Sequence, residues 1–176
     1  MIFRETDLEG AFVVDMESRQ DERGFFARSF CREEFAAHGL PDVIAQCNAS
    51  FNRLKGTLRG MHFQAAPKEE GKLVRCTRGA IYDVIIDLRA DSPTFRAWIG
   101  EELNEENLRA IYVPPGFAHG FQTLRDGAEV LYSMTEFYDG SLTRGVRWND
   151  PAFSVLWPRA DLIISDRDRN FPDFQR

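Results

Sequence analysis

Polar and apolar residues alternate in short runs along most of the chain, and turn-forming residues separate the runs. Residues 11–16, 57–64, 72–77, 80–88, 97–103, 110–113, 120–124 and 129–137 have the β-branched and aromatic content of half-buried strands. Arg78-Gly79 joins the third run to the fourth, which predicts a hairpin there. Eight or more short strands in one unit predict an all-β jelly roll or closed barrel, with any ligand in its wide mouth. Helical periodicity is scarce, so helices are expected to be short and peripheral. The one candidate is residues 31–38, with Ser29 as its cap and Gly39 and Pro41 as its stop. The segment after Trp157-Pro158 is less regular and reads as a tail that wraps the barrel. No repeat, low-complexity tract or linker is visible, so a single domain over residues 1–176 is expected.

Composition narrows the function classes. Hydrophobic residues make up 43% and charged residues 28% of the chain, which suits an ordinary folded protein. A net charge of −6 argues against a nucleic-acid binder. It leaves open a small anionic ligand held by a local group of arginines. Cys31, Cys47 and Cys76 are odd in number and irregular in spacing, so neither a disulfide framework nor a zinc ribbon is expected. The first residues carry Arg4, Glu5 and Asp7 and no apolar stretch of a signal peptide. No apolar run approaches the roughly 18 residues of a membrane span, so no membrane contact is expected and the cytoplasm is the expected location.

The histidines change the picture. There are three: His38, His62 and His119. His38 ends the short helix and reads as a surface or structural residue. His119 lies in Pro114-Pro115-Gly116-Phe117-Ala118-His119, which has the Pro-x-Gly-x-x-His spacing of the second cupin motif. The first motif would need a second histidine at position 64, where Gln64 stands. A metal-free, cofactor-free site is therefore expected. Such a site needs its acid and base from side chains, and Lys72, Tyr82, Asp83, Asp87, Tyr132, Tyr138 and the tail aspartates are available. Composition does not choose among them. A metal-dependent enzyme with two histidines and carboxylates stays open as an alternative.

Several strings, in this order and spacing, resemble the dTDP-4-dehydrorhamnose 3,5-epimerase family. They are Asp21-Glu22-Arg23-Gly24-Phe25-Phe26, Gln46-Cys47-Asn48, Leu58-Arg59-Gly60-Met61-His62-Phe63-Gln64, Gly71-Lys72-Leu73-Val74-Arg75 and Asp87-Leu88-Arg89. Ser92-Pro93-Thr94-Phe95, Pro115 through Phe121, Leu131-Tyr132 and Trp148-Asn149-Asp150-Pro151 continue the match. The resemblance implies a double-stranded β-helix, a cupin-like jelly roll. It also implies a homodimer and a nucleotide-linked 4-keto-6-deoxy sugar as substrate, inverted at C3, C5 or both. Its residue assignments are His62 as general base, Asp168 as the carboxylate paired with it and Tyr132 as proton donor on the far face. Lys72 lies near the C4 oxygen, and His119 is a further substrate contact. Arg23 and Arg59 match diphosphate or sugar contacts. Phe26, Gln46 and Asn48 match positions around the nucleotide, and Tyr138 the ring stacked on the base.

The chain departs from the family at several points. Arg28 stands where a nucleotide-site glutamate is usual, Cys47 replaces an aspartate, and Thr143 replaces a glutamate. The stretch from Gln46 to Leu58, read as a loop, is one residue longer than usual. Strand parity adds a constraint. Tyr132 and Tyr138 would share a face of one continuous strand. Arg59 and His62 would not, unless the chain bulges at Gly60. The remaining alternative is a non-catalytic sugar-nucleotide-binding jelly roll. That role does not need an acid and a base on opposite faces.

Overall fold

The computed structural model describes residues 1–175. The chain opens with β1 (Ile2–Glu5), β2 (Phe12–Asp15), β3 (Arg19–Asp21), β4 (Gly24–Phe26) and α1 (Arg32–Ala37). The central strands are β5 (Gln46–Asn52), β6 (Thr57–Gln64), β7 (Lys72–Arg78), β8 (Ala80–Asp87), β9 (Trp98–Asn104), β10 (Arg109–Val113), β11 (Phe117–Thr123) and β12 (Ala128–Met134). β13 (Thr143–Gly145), β14 (Ile163–Ile164) and α2 (Asp166–Arg169) complete it. One sheet has the order β1-β2-β10-β7-β12-β5, and the other β13-β6-β11-β8-β9, with β14 added to β6 in parallel. The main ladders are antiparallel, and the two sheets face each other as a jelly roll.

The alternation of side chains explains the layering. On β8, Ile81 and Ile85 face the opposite sheet and, with Phe121 of the neighbouring β11, share a core with Val74 and Cys76 of β7, Ile111 of β10 and Val130 of β12. Val84 and Ile86 face outward and are buried against Val146, Phe153 and Trp157 of the chain beyond β13. The outer face of the other sheet is covered at Val14, Leu73, Ala110 and Tyr112 by Phe35 of α1 and by Leu40. The apolar fill does not extend through the whole sandwich. Where it stops, β6, β7, β11 and β12 turn polar side chains inward. No helix among the described residues is long and apolar enough to cross a membrane.

The expected hairpin at Arg78-Gly79 does not form. β7 pairs with β10 and β12, while β8 pairs with β9 and β11. Gly79, at φ 75°, turns the chain from one sheet into the other. The pattern marked two adjacent strands and a turn, and such a pattern does not state whether the strands share a sheet. Ser29 is not the cap of α1. Cys31 occupies that position and makes no side-chain capping bond. The strand expected over residues 129–137 ends at Met134, so Tyr138 lies in a loop and parity does not govern it. The 46–58 stretch, read as a loop, is mostly β5, an edge strand. His38 behaves as expected: it is exposed, stacks on Phe3 at 4.0 Å, and its Nδ1 lies 2.8 Å from the Glu34 carbonyl oxygen.

Asp87, fully buried at the end of β8, fixes the turn that follows. Its carboxylate accepts from the Arg89 backbone N–H at 3.0 Å, Arg89 Nε at 2.9 Å and the Thr94 hydroxyl at 2.7 Å, and from Ser92 Oγ. Burial pushes its pKa up, but the bonds from Arg89, Ser92 and Thr94 outweigh burial and hold it at about 2, against an ordinary 3.8. A depressed carboxylate stabilises the fold above its unfolded pKa and loses that effect as pH falls through its folded one. Asp87→Asn is expected to lower unfolding free energy at neutral pH by on the order of 2 kcal/mol. In urea titrations the gap to the parent should shrink as pH falls from 3.8 toward 2. A gap unchanged over that window would contradict the assignment.

Candidate active site

The polar end of the sandwich is organised by a break in register between β6 and β11. His119 pairs with His62, yet Phe121 pairs with Arg59, so β6 carries one residue more than β11 over this span. Gly60 sits in the bulge at φ 131°, where a Cβ would lie 2.5 Å from Gly120 Cα. Only glycine fits this conformation and this approach. The bulge brings Arg59 and His62, an odd number apart, to the same cavity, as parity required.

The tail supplies the partner of His62. Ser165 caps the short α2 by accepting from the Asp168 N–H at 3.1 Å. Asp168 is 5% exposed. Its Oδ1 lies 2.7 Å from His62 Nε2, and its Oδ2 accepts from the Gly60 N–H at 3.2 Å. Burial raises the pKa of this carboxyl, but His62, the Gly60 N–H and the charge of Arg167 bring it below the ordinary value. An ionised carboxylate can only accept, so the His62 proton sits on Nε2 and Nδ1 keeps its lone pair.

His119 has a similar arrangement one strand away. Its Nε2 lies 2.8 Å from Asp83 Oδ2 on β8, and both residues are buried. Burial pushes the Asp83 carboxyl up, against the pull of His119 and Lys72. Tyr132 comes from β12 on the other sheet, its ring 6.0 Å from that of His119 and 6.4 Å from that of Phe121. Burial and the Asp83 charge drive the phenol well above its ordinary pKa, against a hydrogen bond with Ser50 and the charge of Arg59. The Tyr132 phenol therefore keeps its proton at physiological pH. Lys72, on β7, is 6% exposed, and its Nζ lies 3.0 Å from Glu70 Oε1.

These groups surround one cavity of about 350 Å³, a size suited to a small ligand. Its walls include Asn48, Ser50, Arg59, His62, Lys72, His119, Tyr132 and Tyr138, with Asp168 behind His62. Gln46 contributes from outside by accepting the Tyr138 N–H at 2.9 Å. Arg23, Phe26 and Arg28 do not reach this cavity. Arg23 pairs with Asp21, Phe26 is 77% exposed, and Arg28 pairs with Glu34 of α1 at 2.6 Å. Phe26 and Arg28 border a separate concavity near Met1 and Glu34.

Sequence reasoning did not assign Ser50, Glu70 or Arg167, all of which line the cavity, and it left Asp83 among several candidates. Ser50 shares a face of β5 with Asn48, so recognising that strand would have found it. Arg167 immediately precedes Asp168. Nothing in the pattern of its segment marked Glu70. Thr143 also lines the cavity. Gln64 is taken up by the backbone: Nε2 donates to the carbonyls of Lys68 at 2.6 Å and Phe137 at 3.0 Å, and Oε1 accepts the Asp139 N–H at 2.8 Å. Among the described residues no three His, Cys, Asp or Glu side chains gather as a metal site.

Known proteins match the chain over nearly its whole length. The family model for dTDP-4-dehydrorhamnose 3,5-epimerase matches residues 5–176. An enzyme of that name from Methanothermobacter thermautotrophicus is 44% identical over 172 residues, covering 96% of this chain and 92% of its own. The crystal structure of the Bacillus anthracis enzyme, with TDP and PPi bound, superposes with a TM-score of 0.95 at 41% identity, over 98% of this chain and 99% of that one. The Legionella pneumophila enzyme, solved with dTDP-4-keto-L-rhamnose, gives a TM-score of 0.91 at 32% identity, over 99% of each chain. With a family model matching residues 5–176 and relatives 41–44% identical over 96–98% of it, the chain belongs to the dTDP-4-dehydrorhamnose 3,5-epimerase family.

Proposed function

We infer that the protein epimerises a dTDP-linked 4-keto-6-deoxy sugar, converting the 4-dehydro-6-deoxy-glucose form to 4-dehydrorhamnose. The observation that carries the chemistry is the placement of His62 and Tyr132 on different sheets across one cavity. A base and an acid on opposite walls can remove a proton from one face of a carbon and return one to the other.

The geometry supports the following steps. The ketone at C4 acidifies the neighbouring C–H bonds. His62 Nδ1 takes the proton, and Asp168 stabilises the imidazolium that forms. The C–H electron pair moves toward C4, and negative charge develops on the ketone oxygen. The Lys72 ammonium stabilises that charge as an enolate. The Tyr132 phenol then protonates the carbon from the far side, and the net result is inversion. Arg59 and Arg167 suit the diphosphate, and Tyr138, 60% exposed at the rim, suits stacking on the base.

Variants separate base from acid. His62→Ala is expected to abolish turnover and deuterium uptake from D₂O, a loss of about 10²–10⁴-fold or more. Tyr132→Phe should still exchange deuterium, because His62 can return a deuteron to the face it came from, but should not invert the carbon. Asp168→Asn should fall between the two. NMR in D₂O reads all three. A folded His62→Ala protein with near-parental turnover would overturn the assignment of the base.

We expect a metal-independent reaction, because Gln64 stands where the first cupin motif would need a histidine and is bonded to backbone on both ends of its amide. Turnover is expected to survive exhaustive EDTA treatment. Loss on chelation with rescue by one divalent ion would contradict this.

We also propose a homodimer. The β3–β4 hairpin carries Phe25 at 55% and Phe26 at 77% exposure, and Arg23, matched to substrate, lies outside the chain's own cavity. A second copy would bury the phenylalanines and complete each site across a two-fold interface. Light scattering should give twice the 20.2 kDa chain mass. Mixing and refolding inactive Phe26→Ala and His62→Ala chains should restore about a quarter of parental activity, since half the dimers then hold one complete site. A monomeric mass, or mixed chains without activity, would count against it.

A further inference from the structure

The ion pair of Glu70 and Lys72 is poorly built for stability. Glu70 is 9% and Lys72 6% exposed. Burying two charges costs several kcal/mol, and attraction offsets that only when geometry and hydrogen bonding are complete. They are not complete here, because Glu70 Oε2 is buried without a hydrogen-bond partner. The backbone that carries the pair is nonetheless tightly held. The Gly71 N–H donates to Thr135 Oγ1 at 2.8 Å, and the Thr135 N–H donates back to the Gly71 carbonyl at 3.0 Å. A Cβ on Gly71 would lie 2.8 Å from the Tyr112 hydroxyl. Gln64 ties down the start of the same connection through the Lys68 carbonyl at 2.6 Å. These contacts set Glu70 and Lys72, two residues apart, on one wall of the reaction cavity.

A lysine reaches its target on four rotatable carbons, and a free ammonium in a cavity this size would sample many positions. Glu70 Oε1, 3.0 Å from Nζ, removes that freedom. An ammonium has three donors. Engaging one of them fixes the direction of the others. We propose that Glu70 is the positioning residue for Lys72, holding its ammonium where the ketone oxygen of the sugar becomes an enolate. This rests on the role proposed above for Lys72. Glu70 itself transfers no proton.

A double-mutant cycle tests it. Initial rates with the dTDP-4-keto-6-deoxy sugar are measured for the parent, Glu70→Gln, Lys72→Met and the double variant. Glu70→Gln keeps size and an acceptor oxygen but loses the charge. It is expected to lower kcat by about 10–100-fold, the scale of a misplaced catalytic group, with KM within about threefold of the parent. In the Lys72→Met background the same change should cost less than about twofold, because the group it positions is gone. Glu70→Asp, which keeps the charge, should recover part of the kcat lost in Glu70→Gln. Should Glu70→Gln fail to fold by circular dichroism, the same cycle run with Glu70→Asp decides. Equal losses in both backgrounds overturn the proposal, since a purely structural effect is additive. An active parent with an additive cycle removes only the role of Glu70, whereas an inactive parent removes the proposed function as well.

Discussion

One carboxylate holds the site together. Asp168 accepts the Gly60 N–H with one oxygen and faces the His62 ring with the other. The first contact satisfies a backbone donor that the bulge in β6 removes from the regular ladder. The second sets the tautomer of His62. Both depend on the tail: β14 must lie along β6, and Ser165 must start α2 beside the bulge. The irregular strand and the irregular tail are thus two halves of one device, each leaving a polar group that the other satisfies.

The same economy appears across the cavity. Three of its basic groups from the inner strands have a carboxylate each: His62 has Asp168, His119 has Asp83, and Lys72 has Glu70, while Arg59 donates to the Asn52 amide oxygen. The three acids come from the tail, from β8 and from the 65–71 connection. Such pairs are costly in an apolar interior, and they gather where the apolar fill of the sandwich stops. Tyr132 is the exception. Burial and the nearby Asp83 charge both favour its neutral form, and a neutral phenol is what a proton donor needs.

Much of this was legible from residue pattern. The strands of the central barrel follow from alternation, and the bulge follows from requiring Arg59 and His62 to meet. What alternation could not supply was partnership. The pattern at Arg78-Gly79 suits either a hairpin or a crossing between sheets, and only the distant strands β10, β11 and β12 decide. β5 escaped notice because its alternation is inverted: Asn48 and Ser50 line the cavity, while Cys47 and Phe51 are exposed. That concealed Ser50 as well. Arg23, Phe26 and Arg28 were matched to the substrate by resemblance alone, and a single chain keeps them apart from the cavity of His62, Lys72 and Tyr132. Glu70 carried no signal, because a glutamate in a polar connection reads as solvated until the fold buries it.

The crossing at Gly79 bears on how the protein comes to be made. β5, β6 and β7 find their ladder partners only in β10 through β14, while β1 with β2, β3 with β4, and β8 with β9 are the pairs between neighbours in sequence. A nascent chain leaving the ribosome therefore exposes its first seven strands with most of their edges open until β12 has emerged. Folding is forced to be late and largely concerted, and the growing chain is a natural client for chaperones that shield unpaired β-edges.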